Sequence, residues 1–124
     1  MGAASIGMDS VFEVGLKLPD VNESPYYGAR ALKLNGQMVA CTPVNKSAEV
    51  NSVVVAMSFE RRAALLKKSP SIYYITDHYA PHPTMLVRLS KISRAQLERT
   101  LRMAWEFAAS RDALPRSPGI ANRR

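Results

Sequence analysis

The stretch YYITDHYAPHPTMLVRL, residues 73–89, holds both histidines of the chain and three of its five tyrosines. His78 and His82 have the i, i+4 spacing that places two metal ligands on one face of a helix. Pro81 and Pro83 exclude a helix here, because proline lacks a backbone N–H and its ring clashes with the preceding turn. A zinc site needs more nitrogen or sulfur ligands than these two histidines supply. We therefore expect polar loop histidines, with no metal and no other cofactor.

Nucleophilic chemistry has little support in this sequence. The single cysteine, Cys41, would need a nearby histidine and a lowered pKa. The strand pattern around it predicts instead a place on the apolar face of a hairpin, where a buried thiol is inert. The chain also lacks a nucleophile-elbow serine motif. We expect a binding protein rather than an enzyme.

The tyrosines allow two interpretations. They precede the first predicted hairpin and surround the second strand pair: Tyr26, Tyr27, Tyr73, Tyr74 and Tyr79. Such rings often pack along the rim of a sheet with their hydroxyls in water. Beside lysines and arginines they can also stack on nucleic-acid bases or hold another ligand.

Length and charge restrict the partners. The chain of 124 residues has the size of one domain, and its net charge is +7. Residues 61–124 carry 13 Lys/Arg against 4 Asp/Glu, but three of these arginines lie in residues 113–124, which contain no acid. We expect a single domain over 1–112 and a flexible basic tail over 113–124. The remaining positive charge supports a modest nucleic-acid hypothesis.

Location and assembly follow from composition. No apolar run is long enough to span a membrane. Asp9 and Glu13 interrupt what would be the apolar part of a signal peptide. One cysteine allows no internal disulfide. We expect a cytoplasmic protein without membrane contact, and we favour a monomer while leaving the oligomeric state open.

The first half of the chain predicts a helix and a hairpin. Apolar spacing indicates a helix over 9–18, ended by Pro19, and then a loop over 20–28. Asn35-Gly36 suits a type I′ turn, whose central residues both need positive φ. That turn pairs Leu34 with Gln37, Lys33 with Met38, and Leu32 with Val39. The alternation then predicts one apolar face, formed by Leu32, Leu34, Val39 and Cys41.

The second half predicts three strands and two helices. The β-branched run 52–57 indicates a central strand. Ser58 caps the next helix, with Phe59, Ala63 and Leu66 on its buried side. Strands over about 72–75 and 85–89 should pair antiparallel across a rigid, proline-stiffened loop. Ser93 and Gln96 form a capping box for the last helix, whose buried stripe is Leu97, Leu101, Ala104, Trp105 and Ala108. The order α-β-β-β-α-β-β-α indicates an α+β fold with an antiparallel sheet of about five strands.

Several of these segments together resemble the MmcQ/YjbR-like proteins. The resemblance covers residues 9–110 and rests on YGARALKLNGQMVA, on FERRAALLKKSPSIYYITDHYAPHPTMLVRL, and on a final helix with Trp105. It implies a small bacterial α+β domain whose antiparallel sheet is backed by helices. The family is often labelled DNA-binding-like and has no common established activity. The chain departs from the family pattern at Asp77 and at Pro81-His82, so contacts made by that loop do not carry over.

Two functional hypotheses result. The first is a non-enzymatic binding domain whose partner is DNA or another nucleic acid. Its candidate face combines aromatic rings, positive charge and polar groups: Tyr27, Arg30, Lys33, Tyr74, Thr76, His78, Tyr79 and Arg88. The alternative is a pocket for a small molecule or peptide, rimmed by the turn from Thr76 to Pro83. A concave, partly apolar cavity beside Thr76 and His78 would favour the pocket, and a flat surface would favour the macromolecule.

Overall fold

A computed structural model describes residues 6–113 and shows an α+β fold, as the sequence predicts. Its helices are α1 (Met8–Gly15), α2 (Phe59–Lys68) and α3 (Arg94–Ala113). Its strands are β1 (Val21–Tyr26), β2 (Ala29–Leu34), β3 (Gln37–Cys41), β4 (Ser52–Ala56), β5 (Tyr73–Tyr74) and β6 (Thr84–Arg88), with a 3-10 turn at Leu89–Lys91. The predicted tail lies outside the described residues except for Ala113, which ends α3.

All six strands form one antiparallel sheet in the order β1-β2-β3-β4-β6-β5. β4 lies near the middle, between β3 and β6, and all five of its residues are buried. Its β-branched, uncharged sequence suits a strand with both faces covered. The prediction of a central strand at this position is confirmed.

The two faces of the sheet are covered in different ways. One face, here called the helix face, packs against α1 and α3 in the main core, which includes Val11, Leu32, Val53, Val87 and Leu101. The opposite face, here called the open face, has a smaller apolar cluster covered by loops: Ala31, Cys41, Val54, Tyr79 and Leu86. Full burial of one such aliphatic side chain contributes about 1.5–3 kcal/mol. The larger cluster therefore supplies most of the stability.

The predicted loop over 20–28 is wrong, because β1 occupies most of it. β1 pairs with β2 through a two-residue turn at Tyr27-Gly28, where φ is 51° and 83°. Positive φ at both positions matches the type I′ turn that joins strands without splaying them. Pro25 is tolerated because β1 is an edge strand, and the missing N–H can face away from β2.

A β-bulge changes the predicted face of Cys41. The pairs Leu34–Gln37 and Lys33–Met38 are confirmed, but the register then shifts and Leu32 faces Ala40 instead of Val39. Val39 and Ala40 both join the main core, as two bulged residues opposite one partner do. The alternation therefore restarts one residue later. Cys41 lies on the open face, opposite Leu32 and Leu34.

The buried side of α2 also differs from the prediction. Ser58 does cap the helix, because its Oγ accepts a hydrogen bond from the Arg61 N–H at 3.2 Å. Phe59 and Ala63 are exposed, however, and no residue of α2 is buried. Leu65 and Leu66 make its partly buried contact with the core. The helix lies against the β5–β6 side of the sheet, so a shorter apolar stripe is enough.

The last helix follows its sequence signals closely. Ser93 and Gln96 form the reciprocal capping box, with distances of 2.9 Å and 3.1 Å. Leu97, Leu101, Ala104 and Ala108 are buried. Trp105 is half-buried, and its indole N–H donates to the Pro19 carbonyl at 2.9 Å. Within the described residues, no helix is both long enough and apolar enough to cross a membrane.

Candidate functional site

The 76–83 turn joins β5 and β6, which pair Tyr73 with Val87 and Tyr74 with Leu86. Residues 77–83 form turns and bends, neither a continuing helix nor an extension of the ladder, as predicted. The Thr76 carbonyl accepts from the N–H groups of Tyr79 at 3.0 Å and Ala80 at 2.9 Å. These bonds close the turn and set the direction in which His78 leaves the backbone.

Arg62 of α2 holds the same turn from outside. Its Nη1 donates to the carbonyls of His82 at 2.9 Å and Thr84 at 3.1 Å, and its Nη2 donates to Ala80 at 3.0 Å. A guanidinium has donors in a fixed planar arrangement, so three carbonyls bound to it have little freedom. No local pattern predicts this contact, because 18–22 residues separate the partners.

A cavity of about 660 Å³ opens beside this turn, largely on the open face of the sheet. The β1–β2 hairpin, β3, β4, the 76–83 turn and the last turns of α3 all contribute to it. Its lining residues are Tyr26, Tyr27, Ala29, Gly36, Gln37, Met38, Cys41, Thr42, Val44, Val54, Ala56, His78, Tyr79, His82, Pro83, Thr84, Phe107, Ala108 and Arg111. Its volume lies in the range of about 300–1,000 Å³ that is usual for small-molecule sites.

Tyr27 is the most unusual residue of the lining. Its φ of 51° places a bulky residue in the left-handed region, which normally costs about 1–3 kcal/mol. Its side chain is 87% exposed, so burial does not offset this cost. The Tyr26 ring meets it edge-to-face, with 4.7 Å between centroids. A strained, exposed aromatic residue at the mouth of a cavity is typical of a ligand contact.

His78 and Tyr79 also line the cavity. Their rings pack edge-to-face at 4.8 Å between centroids, with Tyr79 buried and His78 exposed. Burial raises the pKa of the Tyr79 hydroxyl, and a hydrogen bond with the backbone of Asn45 partly offsets this rise. Tyr79 therefore stays protonated and anchors the turn, while His78 presents its ring to solvent and to the cavity.

Cys41 lies in the wall of the cavity, yet it is poorly suited to act as a nucleophile. Burial raises the pKa of its thiol to about 11, so almost no thiolate exists near neutral pH. In the described part of the chain, no group of three or more His, Cys, Asp or Glu side chains could hold a metal ion. The lining can offer hydrogen bonds, apolar surface and ring faces.

The candidate arginines are engaged within the protein. Arg30 binds the Glu23 carboxylate at 2.7 Å and covers the Phe12 ring of α1 at 4.0 Å, which places it on the helix face. Arg88 makes a two-bond contact with Glu49 at 2.8 Å and 2.9 Å and stacks on the Tyr74 ring at 4.3 Å. Hydrogen bonds from these arginines lower the pKa of both glutamates.

Tyr74 and Thr76 fasten the 42–51 loop to the sheet. The Tyr74 hydroxyl accepts from the Glu49 N–H at 2.7 Å and hydrogen-bonds the Ser52 hydroxyl at 2.7 Å. The Thr76 hydroxyl meets that of Ser47 at 2.8 Å. These two predicted site residues therefore position a loop whose Val44 is at the mouth of the cavity.

The structure thus divides the candidate face. Tyr27, His78 and Tyr79 line the cavity, and Lys33 lies on the open face with its Nζ 5.6 Å from the centroid of the Tyr26 ring. Tyr74, Thr76 and Arg88 form a separate group around the 42–51 loop. Sequence reasoning missed Tyr26 as an open-face residue, because it assigned this segment to a loop. It also missed Phe107 and Arg111, since nothing in a helical pattern shows that its last turns reach a site on the sheet.

In comparisons with known proteins, no family model matches the chain, and no curated protein matches it either.

Proposed function

We propose that this protein binds a small organic ligand in the open-face cavity. The observation that carries this proposal is a cavity of about 660 Å³ whose mouth bears exposed apolar side chains. Tyr27 is 87% exposed and Val44 is 71% exposed, on two different loops that both line it. Isolated exposed apolar residues need no explanation, but a pair flanking one concavity supplies the apolar contacts that ligand sites use.

The polar groups of the cavity favour recognition over reaction. The hydroxyl of Tyr26 has no hydrogen-bond partner among the described residues, so it is free to bind a ligand. His78 and His82 add imidazole nitrogens, and the Thr84 hydroxyl, which donates to the Tyr79 carbonyl at 3.3 Å, adds an acceptor. A few convergent polar groups on a mainly apolar lining orient a ligand.

The test is a thermal-shift screen of a metabolite library on the full chain. We expect at least one compound to raise the melting temperature in proportion to its concentration, because ligands that bind the native state stabilise it. Tyr27→Ala should abolish that rise. Leu16→Ala is the control, since Leu16 is also an exposed large apolar residue but lies outside the cavity. Equal loss in both variants, or no stabilising compound, contradicts the proposal.

Nucleic-acid binding is a second candidate, and a different surface supports it. A groove between α1 and α3 is lined by Lys17, Arg94, Arg99 and Arg102 together with one acid, Glu98. Arg94 forms ion pairs with Glu13 and Glu98, whereas Lys17, Arg99 and Arg102 form none with any described residue. Three free cations in one groove suit a phosphate backbone.

A salt-dependent DNA titration tests this second candidate. Non-specific binding should have a Kd of about 10⁻⁴–10⁻⁶ M at physiological salt and weaken steeply as salt is added. Arg99→Gln with Arg102→Gln should reduce it, while Lys67→Gln with Lys68→Gln on α2 should not. Absence of binding at low salt, or binding lost only when residues 114–124 are deleted, would reject the groove.

The resemblance to the MmcQ/YjbR-like family and the cytoplasmic location belong to this proposal as well. The quoted motifs support the family assignment, and the single cysteine, which is typical of a reducing compartment, supports the location. Superposition of experimental structures of this chain and of a family member would test the family assignment. Fluorescence microscopy of a tagged chain would test the location.

A further inference from the structure

We infer that the ligand is a planar aromatic anion, with its rings beside Tyr27 and its carboxylate or similar group at Arg111. This inference rests on the proposed function, because it specifies the chemical class that the open-face cavity would take. It depends on the charges of the lining, on the arrangement of its aromatic rings and on the position of Tyr27.

The charge of the lining favours an anion. Arg111 is the only Lys or Arg among the described lining residues, and none of those residues is an Asp or Glu. Arg111 forms no ion pair with any side chain that the structure describes. Arg111 and Tyr26 both line the cavity, so the positive charge lies on the same concave surface as the aromatic rings. A carboxylate accepts two parallel hydrogen bonds from a guanidinium, while a cation would find no carboxylate among the described lining residues.

The aromatic rings favour a flat partner. Tyr26 with Tyr27, and His78 with Tyr79, form two edge-to-face pairs at interplanar angles of 75° and 84°. In these pairs Tyr27 is 87% exposed, so its ring keeps open surface on which another ring can pack in an offset stack. Phe107 adds a further ring beside Arg111, whose guanidinium lies 5.4 Å from its centroid.

The position of Tyr27 supports its role as the stacking residue. An ordinary turn residue such as asparagine or glycine would relieve the strain of its positive φ. A tyrosine there gains little from the protein itself, because most of its ring is exposed. A ligand ring seated against it would recover the apolar contact that the folded chain leaves unused.

Three matched probes test the class of ligand by isothermal titration calorimetry on the full chain: 2-naphthoate, 2-naphthylmethanol and 2-naphthylmethylamine. They share one ring system and differ in charge. We expect 2-naphthoate to bind about tenfold more tightly than the alcohol, and the amine to bind most weakly. Arg111→Gln should bring 2-naphthoate to the affinity of the alcohol, whereas Arg102→Gln, an exposed arginine of α3 outside the cavity, should not.

The outcomes of these titrations distinguish the ligand class, a planar aromatic anion, from the more general proposal that the cavity binds a ligand. Equal binding of all three probes, with no effect of Arg111→Gln, overturns the anion assignment and leaves the cavity as a ligand site. Tighter binding of the amine than of 2-naphthoate also overturns the anion assignment and leaves the cavity as a ligand site. Failure of all three to bind overturns the planar-ligand assignment, and the proposed function then fails only if the metabolite screen is also negative.

Discussion

Some polar side chains of this protein are bonded to other residues of the protein, and others have no described partner. Only the second kind is available to a ligand. Tyr74 and Arg88 look like binding residues in the sequence, yet their polar groups are bound to Glu49, Ser52 and backbone carbonyls. Tyr26 looks like part of a loop, yet it lines the cavity and its hydroxyl has no partner among the described residues. Residue type predicts the chemistry of a side chain, while the neighbours decide whether that chemistry is free.

The hydroxyls of Tyr74 and Tyr26 should therefore contribute differently to the free energy of unfolding. Tyr74→Phe removes the partner of the buried Ser52 hydroxyl and of the Glu49 N–H, so we expect a loss of about 1–2 kcal/mol. Tyr26→Phe removes a hydroxyl without a described partner, so we expect a change within about 0.5 kcal/mol. Urea denaturation of both variants measures the difference, and equal losses would show that the Tyr74 network is not stabilising.

The raised pKa of Cys41 predicts a specific dependence of stability on pH. The thiol ionises near pH 9 in the unfolded chain and near pH 11 in the fold, so the folded state retains its proton longer. The contribution of the protonated thiol to the free energy of unfolding should be complete below pH 9 and should fall as the pH rises towards 11. At pH 10 we expect about 1.4 kcal/mol of it to be lost. Only the difference between wild type and Cys41→Ala isolates this effect. If the two stability curves stay parallel from pH 8 to 10, the thiol is not desolvated.

At the scale of the elements, two type I′ hairpins build one side of the sheet, and the sequence signalled one of them. Asn35-Gly36 consists of residue types that accept positive φ, so its turn and two of its three predicted pairs are confirmed. Tyr27-Gly28 adopts the same geometry with a residue that resists it, and Pro25 argues against a strand there. The propensities of these residues predict a loop here. Pairing with β2 stabilises β1 in spite of them.

The bulge in β3 shows a second limit of local reasoning. Alternation correctly separates Tyr73 from Tyr74, because β5 and β6 pair without a shift. In β3 one extra residue reverses the faces beyond it and moves Cys41 from the predicted core to the cavity. Pattern counting assumes continuous pairing and cannot locate such an insertion. The site on the open face was therefore only half predictable.

Both hairpins depend on a glycine whose conformation an L-residue rarely adopts. Gly28 and Gly36 have φ of 83° and 86°, and a Cβ at either position would meet nothing within 4 Å. The cost of Gly28→Ala and Gly36→Ala should thus be purely conformational, about 1 kcal/mol each. Asparagine tolerates this region better, so Gly28→Asn should lose less. Urea denaturation that ranks Asn no better than Ala would contradict the turn assignment.

For the whole molecule, the two faces of the sheet differ: the helix face carries the larger core, and the open face carries the cavity. The helix face contains the larger apolar core, which α1 and α3 cover with a partly buried contact from α2, and which the sequence patterns of α1 and α3 largely predicted. The open face is closed by two loops, fastened through Arg62, Thr76, Arg88 and Tyr74. Because these loops are held from outside, the concavity between them and the β1–β2 hairpin is preformed. Long-range side-chain contacts create this site, and no local pattern in the sequence encodes them.

We propose that the open-face cavity, and not the groove between α1 and α3, receives a small organic ligand. The most direct test of this proposal is a titration of the ¹⁵N-labelled chain with 2-naphthoate, or with the best compound of the metabolite screen, followed by amide chemical shifts. We expect saturable shifts centred on Tyr27, Cys41 and His78, which line the cavity from three different segments. Amides beside Lys17 and Arg99, in the groove between α1 and α3, should stay unchanged. Shifts centred on that groove, or shifts that never saturate, would contradict the account.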